Sequence, residues 1–401
     1  MSERANALPV SRKEVEDALC ARMDRSQKLR AFSKLLAALF HFEFHEELEA
    51  LKEAYAPINP DCDRREPPSV EEQDACGEKV RSVLSTVLER GNYRPLTEAE
   101  LDLALEEKSL FPIEVSIDFD VFDDFLVFAR GESVREGEVK KWLGLRKKTL
   151  DVPTYDRVCL FLRFKPEDAL DDKQLARLVG EPGSTVLKLF RNIPKADLEM
   201  LFPSTKLKMR LLDKLLIGVP AVVGGVPVIA KLIPAAVAVM ILLGFSRGEV
   251  NEAAIIAGLS GFAGLGIFLF RQWDKFKSRK VLFMKMLSDN LYFRNIDNNE
   301  GVITRLIDEA EEEEHKEAII AYVILLEEPG LTMDALDERA EAWLRESFDL
   351  DVDFEVDDAV DKLLRLELAT EREGRYEVIP LDEALRLLDK RWDELFPYND
   401  G

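Results

Sequence analysis

His41 and His45 stand four residues apart in HFEFHEELE, with Glu49 one turn further on. On a helix this spacing puts the three side chains on one face, where imidazole and carboxylate can ligate a metal. A zinc protease needs glutamate directly after the first histidine, and Phe42 occupies that place, so the pair reads as a helix-surface feature. Glu312-x-x-His315 is half of a di-iron pattern that needs a second such pair. It adjoins the acidic run 308–314, which reads as a solvated helix face. Gly258-Leu259-Ser260-Gly261 offers a glycine-flanked hydroxyl. Such a nucleophile needs a neighbouring base, and His41, His45 and His315 are all distant in sequence. Asp118, Asp120, Asp123 and Asp124 cluster between two apolar runs and read as a hydrophilic turn. Asp297-Asn298-Asn299-Glu300-Gly301 has its glycine one place too early for a calcium loop and reads as a turn and helix cap. There is no Walker loop and no Gly-x-Gly-x-x-Gly. The expectation is a protein without catalytic, cofactor-binding or metal-ligating residues, and not an enzyme.

The elements that would position any site change character along the chain. Residues 1–96 read as a helical N-terminal region. Ser11 with Glu14 forms a capping box for a first helix, and Leu29, Phe32, Leu35, Leu36, Leu39, Phe40 and Phe44 recur at helical spacing over 27–56. A third helix covers 70–89. Residues 97–203 turn β-rich: 113–119, 124–130, 157–164 and 185–193 carry β-branched and aromatic residues in partial alternation. Gly131, a turn at 151–155 and Glu181-Pro182-Gly183 punctuate them, with helical stretches at 168–179 and 195–201. The expectation is an α+β unit on a mostly antiparallel sheet. Residues 291–401 predict a helical, winged-helix-like domain. A helix at 302–313 precedes helices at 316–328, 332–348 and 356–366, a hairpin turning near Glu373-Gly374, and a last helix at 381–395. The third helix of such a module reads DNA through phosphate contacts that need a basic face. Here it carries Glu355, Asp357, Asp358 and Asp361 against Lys362 and Arg365, which argues against nucleic acid and for protein docking.

Residues 204–290 hold almost all the long apolar sequence. Residues 215–245 carry one charge, Lys231, and 253–270 carry none. About 18 apolar residues suffice for a membrane-spanning helix. Lys206, Lys208, Arg210 and Lys214 precede the pair, and Arg271, Lys275, Lys277, Arg279 and Lys280 follow it, in a chain whose net charge is −23. That local basic excess predicts a transmembrane hairpin with both ends on the cytoplasmic face. Pro220, Pro227, Pro234, Gly224 and Gly225 interrupt the first segment, which assigns 211–225 to a surface-lying or re-entrant piece. Lys231 is expected to snorkel to the interface. Ala257, Gly261 and Gly264 form a small-residue stripe for helix packing, between the two spans or between copies in a homo-oligomer. Anionic lipids would meet the basic flanks. Cys20, Cys62, Cys76 and Cys159 show no pairing or metal spacing, which fits a reducing compartment. The N-terminus has neither a signal nor a transit pattern.

TYDRV (154–158), LKLFRNIPKADLEMLFPSTKLKM (187–209), the glycine- and proline-rich hairpin and YFRNIDNNEGVITRLIDEAEEEEHKEAIIAY (292–322) carry a resemblance. The chain resembles the uncharacterised membrane-protein family typified by transmembrane protein 143. The resemblance implies a double-spanning membrane protein, found in bacteria, plants and animal mitochondria, and supplies no reaction. The combined expectation is a mostly helical α+β protein whose transmembrane hairpin separates a small antiparallel-sheet domain from a winged-helix-like C-terminal domain. It would sit in a bacterial-type inner membrane, or an organellar one in a eukaryote, as a non-catalytic scaffold with unidentified protein partners. A membrane-bound enzyme acting on lipid or peptide, or an oligomeric pore or transport accessory, are the alternatives.

Overall fold

The computed structural model describes residues 6–23, 26–62, 68–97, 99–101, 113–141, 146–176, 178–203, 205–209, 267, 270, 271, 274 and 291–396. The chain divides into two compact units, one of residues 1–106, 118–198 and 294–401, the other of 107–117 and 199–293.

In the first unit, helix α1 (Arg12–Arg22) starts on the expected capping box. The Ser11 hydroxyl accepts from the Glu14 amide at 3.3 Å and the Glu14 carboxylate accepts from the Ser11 amide at 2.8 Å. Helix α2 (Ser26–Tyr55) buries Leu29, Phe32, Leu36, Phe40, Phe44 and Leu51 along one stripe. Helix α3 (Val70–Arg90) is capped by Ser69. Helix α4 (Asp172–Leu175) is a single turn where a longer stretch is expected, and Lys195–Leu201 is 3-10 helix. The remaining helices are α5 (Glu300–Glu327), α6 (Met333–Phe348), α7 (Val356–Arg365) and α8 (Leu381–Asp393). Thr332 caps α6, and strands β8 (Ala369–Arg372) and β9 (Arg375–Val378) turn through Glu373 and Gly374, as their sequence predicts.

Helix α5 is the axis of the unit. The two helices expected at 302–313 and 316–328 are one, because no glycine, proline or capping residue separates them, and Glu, Ala and Leu favour continuation. Its second half, 318–325, is apolar on every side and buried. The Phe32 and Tyr322 rings stack at 4.3 Å, and the Tyr322 hydroxyl donates to the Ile379 carbonyl at 2.9 Å.

The sheet is antiparallel and five-stranded, ordered β1 (Arg94–Pro95), β3 (Phe122–Lys141), β4 (Arg146–Phe164), β5 (Thr185–Pro194), β7 (Asn295–Asn298). The turn expected at 151–155 is instead strand, with Pro153 opposite Val134. It is tolerated there because β5 pairing begins at Thr154, so β4 has a neighbour on one side only and a missing N–H breaks no second ladder. From Val134 to Lys141, β3 pairs with β4 alone among the described residues, forming a two-stranded ribbon that runs roughly 25 Å beyond the sheet.

In the second unit, β2 (Ile113–Ile117) pairs antiparallel with β6 (Thr205–Met209), from Ile113 opposite Met209 to Ile117 opposite Thr205. The 113–119 run therefore belongs to a separate two-stranded sheet. Lys206 and Lys208, expected to flank a membrane span, lie in β6 opposite Ser116 and Glu114.

The membrane expectation is corrected. Among the described residues no helix is long and apolar enough to cross a membrane. A transmembrane hairpin between the two domains, a two-span membrane location and the orientation drawn from it are therefore unsupported, and the fold is mixed helix and sheet. An apolar run reports exclusion from water without naming the surroundings that provide it, and the all-apolar half of α5 finds them in protein. Of the segment itself, Ile267, Phe270, Arg271 and Asp274 are helical and exposed. Arg210, Lys214, Lys231, Ala257, Gly261, Gly264, Lys275, Lys277, Arg279 and Lys280 lie outside the described residues, as does the piece 211–225.

Candidate functional site

The acidic run on α5 is the largest departure from expectation. Glu309, Glu313, Glu314, His315, Lys316 and Glu317 are all buried, whereas the sequence reads as a solvated face. Isolated buried charges are prohibitive, so each must be paired. Glu309 accepts from the Tyr93 hydroxyl at 2.8 Å and pairs with Arg130 at 2.8 Å and Arg305 at 3.0 Å. Burial would raise its pKa, but Arg130 and Tyr93 outweigh that and hold it below the usual value. Burial pushes the Tyr93 phenol well up. Glu313 pairs with Lys316 at 2.9 Å, and that ammonium donates onward to the carbonyls of Leu8 at 2.7 Å and Val10 at 3.1 Å. The N-terminal segment is thereby tied to α5.

One turn along, Glu314 holds Arg90 at the end of α3 in two hydrogen bonds, 2.5 Å to Nε and 3.1 Å to Nη2. The same guanidinium pairs with Glu47 and lies 3.9 Å from the centre of the Phe44 ring. Glu317 accepts from Lys362 of α7 at 2.7 Å and from the Asn92 amide at 2.8 Å. Burial raises the Glu317 pKa to about 7 in spite of Lys362. Burial works against the Lys362 ammonium as well, but Glu317 and Glu314 prevail and its pKa rises. His315 is fully buried. Its Nε2 faces the Ser33 carbonyl at 3.1 Å, which assigns the proton to Nε2. Burial depresses its pKa to about 4.

This network floors an open cleft of about 730 Å³ between α2, α3, α5 and α7. Arg90, Glu314 and Lys362 form its base, Ala50 and Val83 its apolar patches, and Glu43, Glu46, Glu47, Asp358, Asp361 and Arg365 its rim. Glu43 pairs with Arg365 at 2.8 Å. Among the described residues Glu46, Asp358 and Asp361 make no ion pair or hydrogen bond, so the cleft presents uncompensated negative charge over a fixed ionic floor. Burial raises the Glu47 pKa despite Arg90 beside it. The cleft can therefore hold cations, and no nucleophile with an adjacent base lines it.

The candidates read from the sequence scatter across the structure. His41 is exposed and pairs with Glu311 at 2.9 Å; His45 is exposed too, and His315 lies against Ser33. No group of three or more His, Cys, Asp or Glu suited to a metal occurs among the described residues. Of the aspartates at 118–124, Asp120 lies in a 3-10 turn at Phe119–Val121 and Asp123 and Asp124 in β3, where Asp124 pairs with Arg81 at 2.8 Å and Asp123 with Arg163. Asp297 and Asn298 lie in β7, and Asn299, with φ 51°, precedes α5. Asn299 accepts from the Tyr55 hydroxyl at 3.0 Å, which makes it an internal clamp. The four cysteines are free thiols, and burial pushes the Cys159 thiol far up. Sequence reasoning misses the cleft itself, although Glu43, Glu46 and Glu47 on α2 and Asp358 and Asp361 on α7 fall at helical spacing within their own elements.

Residues 155–301 match a family described as a protein of unknown function, DUF3754. A domain of unknown function thus runs from β4 to the start of α5 and covers well under half of the chain. Nothing in that match links the chain to transmembrane protein 143 or to a membrane family, so the resemblance narrows to the domain alone. No solved structure matches this chain.

Proposed function

We propose that this protein is a non-catalytic interaction protein whose acidic cleft takes a basic segment of a protein partner. The observation that carries the reading is the open cleft of about 730 Å³ with Glu46, Asp358 and Asp361 unpaired among the described residues at its rim. Lysine or arginine side chains entering it would meet carboxylates already held in place, so little is lost in ordering the receiving side. The base cannot rearrange cheaply, because Arg90 and Lys362 are locked to Glu314 and Glu317. Third-helix DNA reading finds no support in this geometry: α7 turns Val356, Ala359, Val360 and Leu363 into the core and directs Lys362 to Glu317.

Titration of the full chain with pentalysine tests the reading. Binding that weakens steeply with salt, and that Asp358→Lys with Asp361→Lys removes, is the expected result. Reversal of two exposed acids elsewhere, Asp168→Lys with Asp172→Lys, changes net charge equally and should leave most of the binding. Equal loss in both variants would reduce the cleft to general acidity and overturn the proposal.

A further inference from the structure

Beside the acidic cleft lies an aromatic shelf. Trp392, near the end of α8, is 43% exposed, and Phe396, just past it, is 60% exposed. The Phe396 ring meets the half-buried Phe42 ring of α2 edge-on, with centroids 5.4 Å apart. Arg391 pairs with Glu367, just past the end of α7, at 3.2 Å. The shelf is therefore held to α2 on one side and to the α7 end on the other. An aromatic side chain can bury about 150–250 Å², so rings kept at the surface forgo a large stabilisation unless something covers them. Shelf and cleft are continuous along α2. Phe42 and Glu46 stand four residues apart, one turn or about 5.4 Å along a single face, and Glu46 belongs to the cleft rim.

We propose that shelf and cleft form one interaction surface, and that the basic segment it takes carries an aromatic or large apolar side chain close to its bases. The inference rests on the reading of the cleft as a site for a basic segment. Lysines alone would fill the cleft and leave the shelf wet. An apolar segment without bases would cover the shelf and leave Glu46, Asp358 and Asp361 facing no counter-charge. A second copy meeting shelf to shelf would bring together two chains of net charge −23 with their acidic rims adjacent, which repulsion opposes. A segment of mixed chemistry answers both features at once. Its apolar side chain would anchor by losing water, while its bases steer the approach and fix the register. The step from Phe42 to Glu46 matches about two residues of an extended chain or one turn of a helix, so that side chain should stand roughly two to four residues from the nearest base.

Titration of the full chain with two peptides of equal charge tests this. One is pentalysine extended by two glycines at each end; the other has phenylalanine in place of each outermost glycine. The shelf variant, Trp392→Ser with Phe396→Ser, keeps the net charge, and circular dichroism confirms that it is folded. Wild type should bind the phenylalanine peptide about tenfold more tightly than the glycine peptide. The shelf variant should bind both as wild type binds the glycine peptide. The ratio should persist as salt rises, although both affinities fall, because salt screens the ion pairs and not the burial of a ring. A ratio near one on wild type, or a ratio that survives in the shelf variant, would overturn the inference. So would undiminished binding of the phenylalanine peptide after Asp358→Lys with Asp361→Lys, since shelf and cleft would then be separate sites. A wild-type dimer in sedimentation equilibrium that the shelf variant abolishes would instead give the shelf to a second copy, and would overturn it as well. If the glycine peptide binds and phenylalanine adds nothing, this inference fails while the cleft reading stands; binding of neither peptide removes both.

Discussion

Replacing Lys362 with Met removes the ammonium 2.7 Å from Glu317 and leaves that carboxylate fully enclosed with only the Asn92 amide beside it. Breaking one half of a buried pair costs about 3–5 kcal/mol. Urea unfolding should show that loss for Lys362→Met and recovery of most of it for Lys362→Met combined with Glu317→Leu. Equal instability of the single and double variants would mean that packing, not charge, holds α7. His315 gives a pH signature of known sign. Its folded pKa, about 4, lies below the ordinary 6.5, so its contribution to stability is present above pH 6.5 and is lost as pH falls towards 4. The stability gap between wild type and His315→Gln should shrink by about 3 kcal/mol over that range. Glu317 acts in the opposite sense: its folded pKa is raised to about 7, so its contribution is full below about 4.5 and is lost as pH rises through 7. At this scale the sequence is least legible. Its acidic run looks solvated because the groups that neutralise it, Arg90, Arg130 and Lys362, are supplied by α3, β3 and α7.

Local rules serve the elements well wherever a cap or a turn marks the end. Ser11, Ser69 and Thr332 each begin a helix as their side chains require. Glu373 and Gly374 both take positive φ, 55° and 74°, in the β8–β9 turn. A two-residue turn of this kind favours Asn-Gly, since a side chain other than Asn or Asp is strained there. Glu373→Asn should therefore stabilise the protein by up to about 1 kcal/mol. Gly374→Ala should destabilise it by a similar amount through backbone strain, because no atom lies within 4 Å of the added methyl. Thermal unfolding of both variants checks the pair, and a neutral Gly374→Ala would refute the strain argument. Elements without such markers are harder to read. Pro153 and its neighbours have the composition of a turn, and only pairing with Val134 makes them strand. The 113–119 run has the right composition for the main sheet, but composition does not choose a partner, and β6 takes it.

The net charge of −23 governs how the whole molecule answers to salt. Like charges at the surface repel in the folded state more than in the expanded chain, so added salt should raise the melting temperature. The ion pairs on α5 are buried and change little. Binding of a basic segment in the cleft should respond oppositely and weaken over the same range. Parallel melting and pentalysine titrations between low and moderate salt test this divergence; a melting temperature that falls with salt would place the stabilising charges at the surface instead. At this scale the mixed helix and sheet content is readable from periodicity. A membrane location is not, since hydropathy alone does not say which apolar surroundings a helix will find.

The packing of α2 on α5 also sets a timetable for synthesis. Some 245 residues separate the end of α2 at Tyr55 from the start of α5 at Glu300. At about 5–20 residues per second, roughly 10 to 50 s pass before the ribosome delivers the helix whose Tyr322 stacks on Phe32. Through that interval the part of the α2 stripe that α5 covers, Phe32 among it, lacks its partner, which makes the nascent chain a client for chaperones that shield apolar helices until their partner emerges.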